Sequence, residues 1–155
     1  MAYTIESKRV EPQLFAAVRR RAKPNELSKV VPAACGESWN LGKNLGLSGG
    51  RHVAVYLDGE INLRVGQEVA EPFVSTGDLI CSSTPGGDVV TTTHFGPYDR
   101  LGDAHTALRN WAADHQRTLA GPNWEIYGHW TDDPSQLRTD VFYLVTDDLQ
   151  QVKPS

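Results

Sequence analysis

Two cysteines, Cys35 and Cys81, stand far apart in 155 residues, without CxxC spacing. So sparse a set excludes a disulfide framework or a cysteine zinc site and suits a reducing compartment. No apolar run approaches the ~18 residues that a membrane helix needs. The start, Met1-Ala2-Tyr3-Thr4-Ile5-Glu6, has no basic region followed by an apolar stretch, so no secretory signal is read and a cytoplasmic protein is expected. Basic charge is also short: the net charge is −4. Direct nucleic-acid binding, which depends on basic patches that displace counterions, is not expected. The only basic run, Arg19-Arg20-Arg21, sits in an alternating stretch and reads as a solvated face or strand edge. HExxH, GK[ST] and GxSxG are all missing, so zincin, P-loop and α/β-hydrolase chemistry lack support, and no metal or cofactor is expected.

What is present is punctuation and alternation. Tyr3–Val10 and Gln13–Arg21 alternate like strands around a turn at Glu11-Pro12. Pro24-Asn25-Glu26 opens a helix, with Asn25 as a candidate cap, and Pro32 is expected to kink or split it. Val53–Leu57 and Ile61–Val69 form a hairpin around Asp58-Gly59. A linker over 71–78 follows, and the pattern restarts. Leu79–Ser83 and Val89–His94 are strands. Asp99 caps a helix with Leu101, Ala104, Leu108 and Trp111 on its apolar side. Trp124–Trp130 and Thr139–Val145 are the last strands, and the residues after Asp147 read as a tail.

The restart is a repeat. Pro24 and Pro97 are 73 residues apart, Trp39 and Trp111 are 72 apart, and Tyr56 and Tyr127 are 71 apart. The predicted fold is α+β: two pseudo-symmetric strand–helix–strand–strand repeats, about 1–70 and 78–147, in one domain over 1–150 with a tail at 151–155. Eight largely antiparallel strands would carry two main helices on one face and a ligand cleft on the other.

Strand residues alternate between faces. In Trp124–Trp130 the more apolar set is Trp124, Ile126, Gly128 and Trp130, and it is expected to cover the helices. Glu125, Tyr127 and His129 then face away. Val141, Tyr143 and Val145 read as helix-packed, which sends Asp140 and Phe142 to the side of Glu125. Val53, Val55 and Leu57 go inward, leaving Ala54 and Tyr56 opposite. Two carboxylates among rings suggest a pocket for small aromatic molecules, although Tyr and Phe form strands anywhere. Of five histidines, His129 is the one placed to reach it. His105 and His115 fall on the helix at its side or border. Trp39 and Trp111 read as core.

His94-Phe95-Gly96-Pro97-Tyr98, Pro122-Asn123-Trp124-Glu125-Ile126-Tyr127 and Thr139-Asp140-Val141-Phe142 resemble the GyrI-like small-molecule-binding family over nearly the whole chain. The resemblance implies a duplicated unit with a ligand cleft between its halves. It places Glu125 in that cleft, lined by Tyr127, Phe142 and Tyr98, with Asp140 as a second acid shorter than the Glu of many members. Without a helix-turn-helix region the chain is read as a stand-alone member. The implied function is binding of planar aromatic, often cationic xenobiotics. Two alternatives stay open. One is a hydrolase that opens the cyclopropane of DNA-alkylating natural products, with Glu125 as base and Tyr127 or Tyr98 as proton donor. The other is a protein-binding modulator, such as a gyrase-interacting protein. The number of subunits is not legible.

Overall fold

The computed structural model describes residues 3–58, 62–129 and 131–146. The elements are β1 (Glu6–Val10), β2 (Leu14–Arg21), α1 (Leu27–Asn44), β3 (His52–Tyr56), β4 (Asn62–Glu68), β5 (Ile80–Ser83), β6 (Gly87–Phe95), α2 (Leu101–Asp114), β7 (Leu119–Tyr127) and β8 (Arg138–Val145). Gly59 of the expected hairpin turn, Trp130 and the tail lie outside the described residues.

The eight strands form one antiparallel sheet in the order β1-β6-β8-β7-β3-β4-β2-β5. Exchanging β1 with β5, β2 with β6, β3 with β7 and β4 with β8 reverses that order onto itself. The sheet therefore has a pseudo-twofold between β3 and β7. The first strand of each repeat adds to the other repeat's edge, β1 on β6 and β5 on β2.

Connection lengths decide the shape. In a flat sheet β1 and β2 would lie about 29 Å apart, at ~4.8 Å per strand. They are joined by Glu11, Pro12 and Gln13, which span at most roughly 14 Å. Thr84, Pro85 and Gly86 join β5 to β6 across the same number of strands. The sheet must therefore roll until its ends meet. The two connectors do meet: the Gln13 N–H donates to Thr84 Oγ1 at 2.9 Å, and the Thr84 N–H donates to the Gln13 carbonyl at 2.9 Å.

Rolling makes the face away from the helices an interior. Phe15, Val53, Val55, Val89, Trp124 and Ile126 pack there with Phe142 and Leu144, and the rings of Trp124 and Phe142 stack at 5.3 Å. Burial of such side chains contributes about 1.5–3 kcal/mol each. The outer face carries both helices. Val31 and Ala34 of α1 pack with Val18, Ala54, Tyr56 and Val65. Leu101, Ala104 and Leu108 of α2 pack with Val90, Val141 and Tyr143.

This corrects the expected faces. Trp124, Ile126, Val53 and Val55 point into the roll, and Glu125, Tyr127, Ala54 and Tyr56 point to the helices. Val141 and Tyr143 do pack on a helix, as expected. The cleft accordingly lies on the helix side, not opposite it.

Local details differ from expectation at the helices. Helix α1 runs unbroken through Pro32, which has no N–H to offer the Ser28 carbonyl one turn back. Asn25 and Asp99 do not cap; each sits in a 3-10 turn, Pro24–Glu26 or Tyr98–Arg100, that leads into its helix. Trp39 is not core: it is 38% exposed, with its ring tilted against His52 at 5.6 Å. Trp111 is half-buried and stacks on His115 at 3.9 Å. In the sheet, Gly66 lets β2 and β4 approach, since a Cβ there would sit 1.6 Å from the Ala16 carbonyl oxygen.

Candidate ligand-binding cleft

The two central strands face each other with Ala54 directly opposite Glu125 and Tyr56 opposite Asn123. Ala54 and Glu125 are equivalent positions, 71 residues apart. The pseudo-twofold thus passes between a methyl group and a carboxylate. Helices α1 and α2 begin on either side of this point. Between them opens a cleft of about 760 Å³, walled by Leu27, Val31 and Cys35 on one side and by Leu101, Gly102 and His105 on the other. That volume lies within the range of small-molecule sites, roughly 300–1,000 Å³.

Glu125 lies at its floor, 4% exposed. Its Oε1 accepts from the Tyr56 hydroxyl at 3.1 Å and from the Tyr127 hydroxyl. These tyrosines are themselves repeat equivalents, so symmetric phenols converge on one asymmetric acid. The other oxygen, Oε2, lies 2.6 Å from His105 Nε2. His105 Nδ1 is 2.7 Å from the Tyr143 hydroxyl, which also accepts from Arg109 Nη1 at 3.0 Å. Burial, and next the charge of Glu125, push the Tyr127 phenol well above its ordinary value, so it stays a donor at neutral pH. The Tyr98 ring meets Tyr127 edge-on at 5.8 Å and forms part of the rim, 41% exposed. Burial pushes the Cys35 thiol up to about 11, so this wall offers a neutral, weakly reactive sulfur.

Four of the residues singled out in the sequence come together here: Glu125, Tyr127, Tyr56 and Tyr98. Three do not. Asp140 and Phe142 lie on the opposite face, because β8 meets β7 with Val141, not Asp140, opposite Glu125. Asp140 is engaged there: it accepts from Thr93 Oγ1 at 2.7 Å and from Arg138 Nε at 3.2 Å, and it lies 3.8 Å from Arg51 Nη1. His129 is exposed beyond the end of β7 and does not line the cleft.

The cleft residue missed by the sequence reading is His105. Its signal is present: it is four residues after Leu101 and three before Leu108, which puts it on the buried stripe of α2. A polar residue on such a stripe needs a partner, and the carboxylate of β7 supplies one.

A second depression, about 900 Å³, runs around the β1 edge and is lined by Thr91, Thr93, Lys8, Asp103 and Arg138 among others. It is larger, more polar and edge-wrapping, and the carboxylate–phenol cluster is not in it. Among the described residues no group of three or more His, Cys, Asp or Glu side chains could hold a metal ion, and no helix is long and apolar enough to cross a membrane.

The comparisons agree with this architecture. The profile of the GyrI-like small molecule binding domain matches residues 3–145. No curated protein matches the chain. Among solved structures, the EcmrR C-terminal domain superposes with a TM-score of 0.78 at 21% identity, covering 95% of this chain and 99% of that one. SAV2435 bound to tetraphenylphosphonium superposes with a TM-score of 0.66 at 8% identity, covering 98% of each chain. A protein described as a hydrolase from Listeria innocua superposes with a TM-score of 0.58 at 14% identity, covering 92% of this chain and 91% of that one. At these identities the structural likeness speaks for the fold. With its sheet, helices and cleft all falling inside the matched span, the chain belongs to the GyrI-like family of small-molecule-binding domains.

Proposed function

We propose that this chain binds flat, lipophilic aromatic cations in the cleft between α1 and α2, with Glu125 as their counter-charge. One observation carries the reading. Glu125 is buried at the floor of an open cleft, and among the described residues no lysine or arginine pairs with it. Its partners are two phenols and an imidazole. Removing a carboxylate from water costs several kcal/mol, and an arriving cation offsets that cost. Ring faces at the rim add about 0.5–2 kcal/mol per well-placed contact with a cation. Stacking is indifferent to ligand outline, which suits diverse xenobiotics. That SAV2435 is seen with tetraphenylphosphonium supports the ligand class.

The hydrolase reading asks Glu125 to take a proton from water. A carboxylate presents about four lone-pair sites. Three are already occupied by Tyr56, Tyr127 and His105. Such an acid is better built to hold charge than to move protons. A fluorescence titration with tetraphenylphosphonium tests the binding reading. Saturable binding is expected, about tenfold weaker in Tyr127→Ala, which loses a ring and a donor. An unchanged affinity in that variant would place the ligand elsewhere. Mass spectrometry of a cyclopropane-bearing alkylator incubated with the protein should show no water-added product; turnover would reverse the choice.

A further inference from the structure

His105 is the one ionisable partner of Glu125 among the described residues apart from the two phenols. Its side chain is 12% exposed. Both protonation states of the imidazole fit the same heavy atoms. When neutral, Nδ1 accepts from the Tyr143 hydroxyl and Nε2–H donates to Glu125. When charged, Nδ1–H donates to the Tyr143 oxygen, that hydroxyl hydrogen turns away, and Nε2–H still donates to Glu125. A single proton, on the ring nitrogen remote from the carboxylate, separates the two states.

Opposite charges flank the ring. Glu125 of β7 faces one ring nitrogen, and Arg109, one turn along α2, is bonded to the Tyr143 oxygen that faces the other. The remaining groups around the cleft carry little weight. Burial pushes Tyr127 of β7, Tyr98 of the turn before α2 and Cys35 of α1 upward, so they keep their protons near neutral pH, and the Tyr56 hydroxyl of β3 donates to Glu125. His52 of β3 is engaged with the Gly66 carbonyl at 3.2 Å. Asp99 is exposed in the turn. The charge of this cleft is therefore settled between Glu125 and the His105 proton.

We propose that His105 is the specificity-determining residue of the cleft. Its imidazolium is the built-in counter-cation of Glu125, and a cationic ligand takes its place by releasing the Nδ1 proton to water. The inference rests on the cation-binding reading above. Charge balances: one positive charge enters with the ligand and one leaves as a hydrated proton. A neutral aromatic leaves the imidazolium–carboxylate pair in place and draws nothing from the acid. A permanently charged one gains the carboxylate, and its affinity rises with pH across the range where imidazoles titrate.

Calorimetric titration with tetraphenylphosphonium, in two buffers of different ionisation heat at pH 6, reads the protons released. Several tenths of a proton per ligand are expected for the native chain and none for His105→Gln. The native affinity should tighten at least fivefold from pH 5.5 to 7.5, while the variant changes less than twofold. Tyr143→Phe retains the imidazole but removes its Nδ1 partner, and should move the pH at which affinity changes. Triphenylphosphine oxide, a neutral probe of similar shape, should bind without proton release. Saturable tetraphenylphosphonium binding with no proton release, or equal release for both probes, overturns the inference and leaves the cation reading standing. No saturable binding at any pH overturns both.

Discussion

Glu125→Gln should weaken tetraphenylphosphonium binding by about 100-fold while changing the affinity of triphenylphosphine oxide less than threefold. Truncating one member of a desolvated charge pair costs roughly 2–5 kcal/mol, and ~3 kcal/mol is about two decades of affinity. The substitution is clean because the network can absorb it. The substituted amide still offers an oxygen to the Tyr56 and Tyr127 hydroxyls. Its nitrogen then faces His105 Nε2, which accepts once the ring proton moves to Nδ1, and Nδ1–H donates to Tyr143. Each of the three contacts made by Glu125 keeps a partner, so the fold is retained and charge is the main quantity removed. Parallel titrations of native and variant chains with both probes check this. Equal losses for both would mean that Glu125 acts through shape or stability and not through charge.

Trp124→Ala, one residue earlier on the same strand, should act on stability alone. Trp124 is 2% exposed inside the roll and stacks on Phe142. Truncating a buried tryptophan costs about 3–5 kcal/mol. For a chain of this size that lowers the midpoint of thermal unfolding by roughly 6–20 °C. Its side chain points away from the cleft, so binding at temperatures well below the transition should be unaffected. Trp39→Ala is the comparison: at 38% exposure, against His52, it should cost about 1 kcal/mol. Urea unfolding of the two variants separates them. Similar losses would show that the roll is not the main core.

The elements are readable from the sequence because each is punctuated. Pro24 and Pro97 announce the helices, and alternation marks β3, β4 and β8 to within a residue or two. Alternation also groups side chains by face, which is why Tyr56 and Tyr127 fall on the same side as Glu125 without coordinates. It does not say which face receives the helices. Polarity decides that question only if a single face is buried. This sheet has two buried faces, and the more apolar one is lined by the sheet itself. The deciding information is the brevity of residues 11–13 and 84–86 combined with a strand order that local patterns do not encode. Asp140 and Phe142 go astray for a related reason. Their own face, away from the helices, is the expected one; polarity misassigns the face of Glu125, to which β8 presents Val141. His105 is legible from its spacing to Leu101 and Leu108. Yet an imidazole beside an apolar stripe reads equally well as a border residue, and only the carboxylate across from it tells the two apart.

The place of Glu125 beside the pseudo-twofold bears on how such a protein could arise. Were the halves separate, identical subunits, each would present one residue to its own copy across the axis. Ala54 would meet Ala54, and the cleft would have no acid. Glu125 would meet Glu125, with Cβ atoms about 4.5–5.5 Å apart, and two carboxylates so close would have to share a proton. Neither assembly yields a single, lasting negative charge. Joining two copies in one polypeptide frees the facing positions to diverge, one to methyl and one to carboxylate. Fusion of the halves is thus the condition for an unshared acid at the centre of a nearly symmetric cleft.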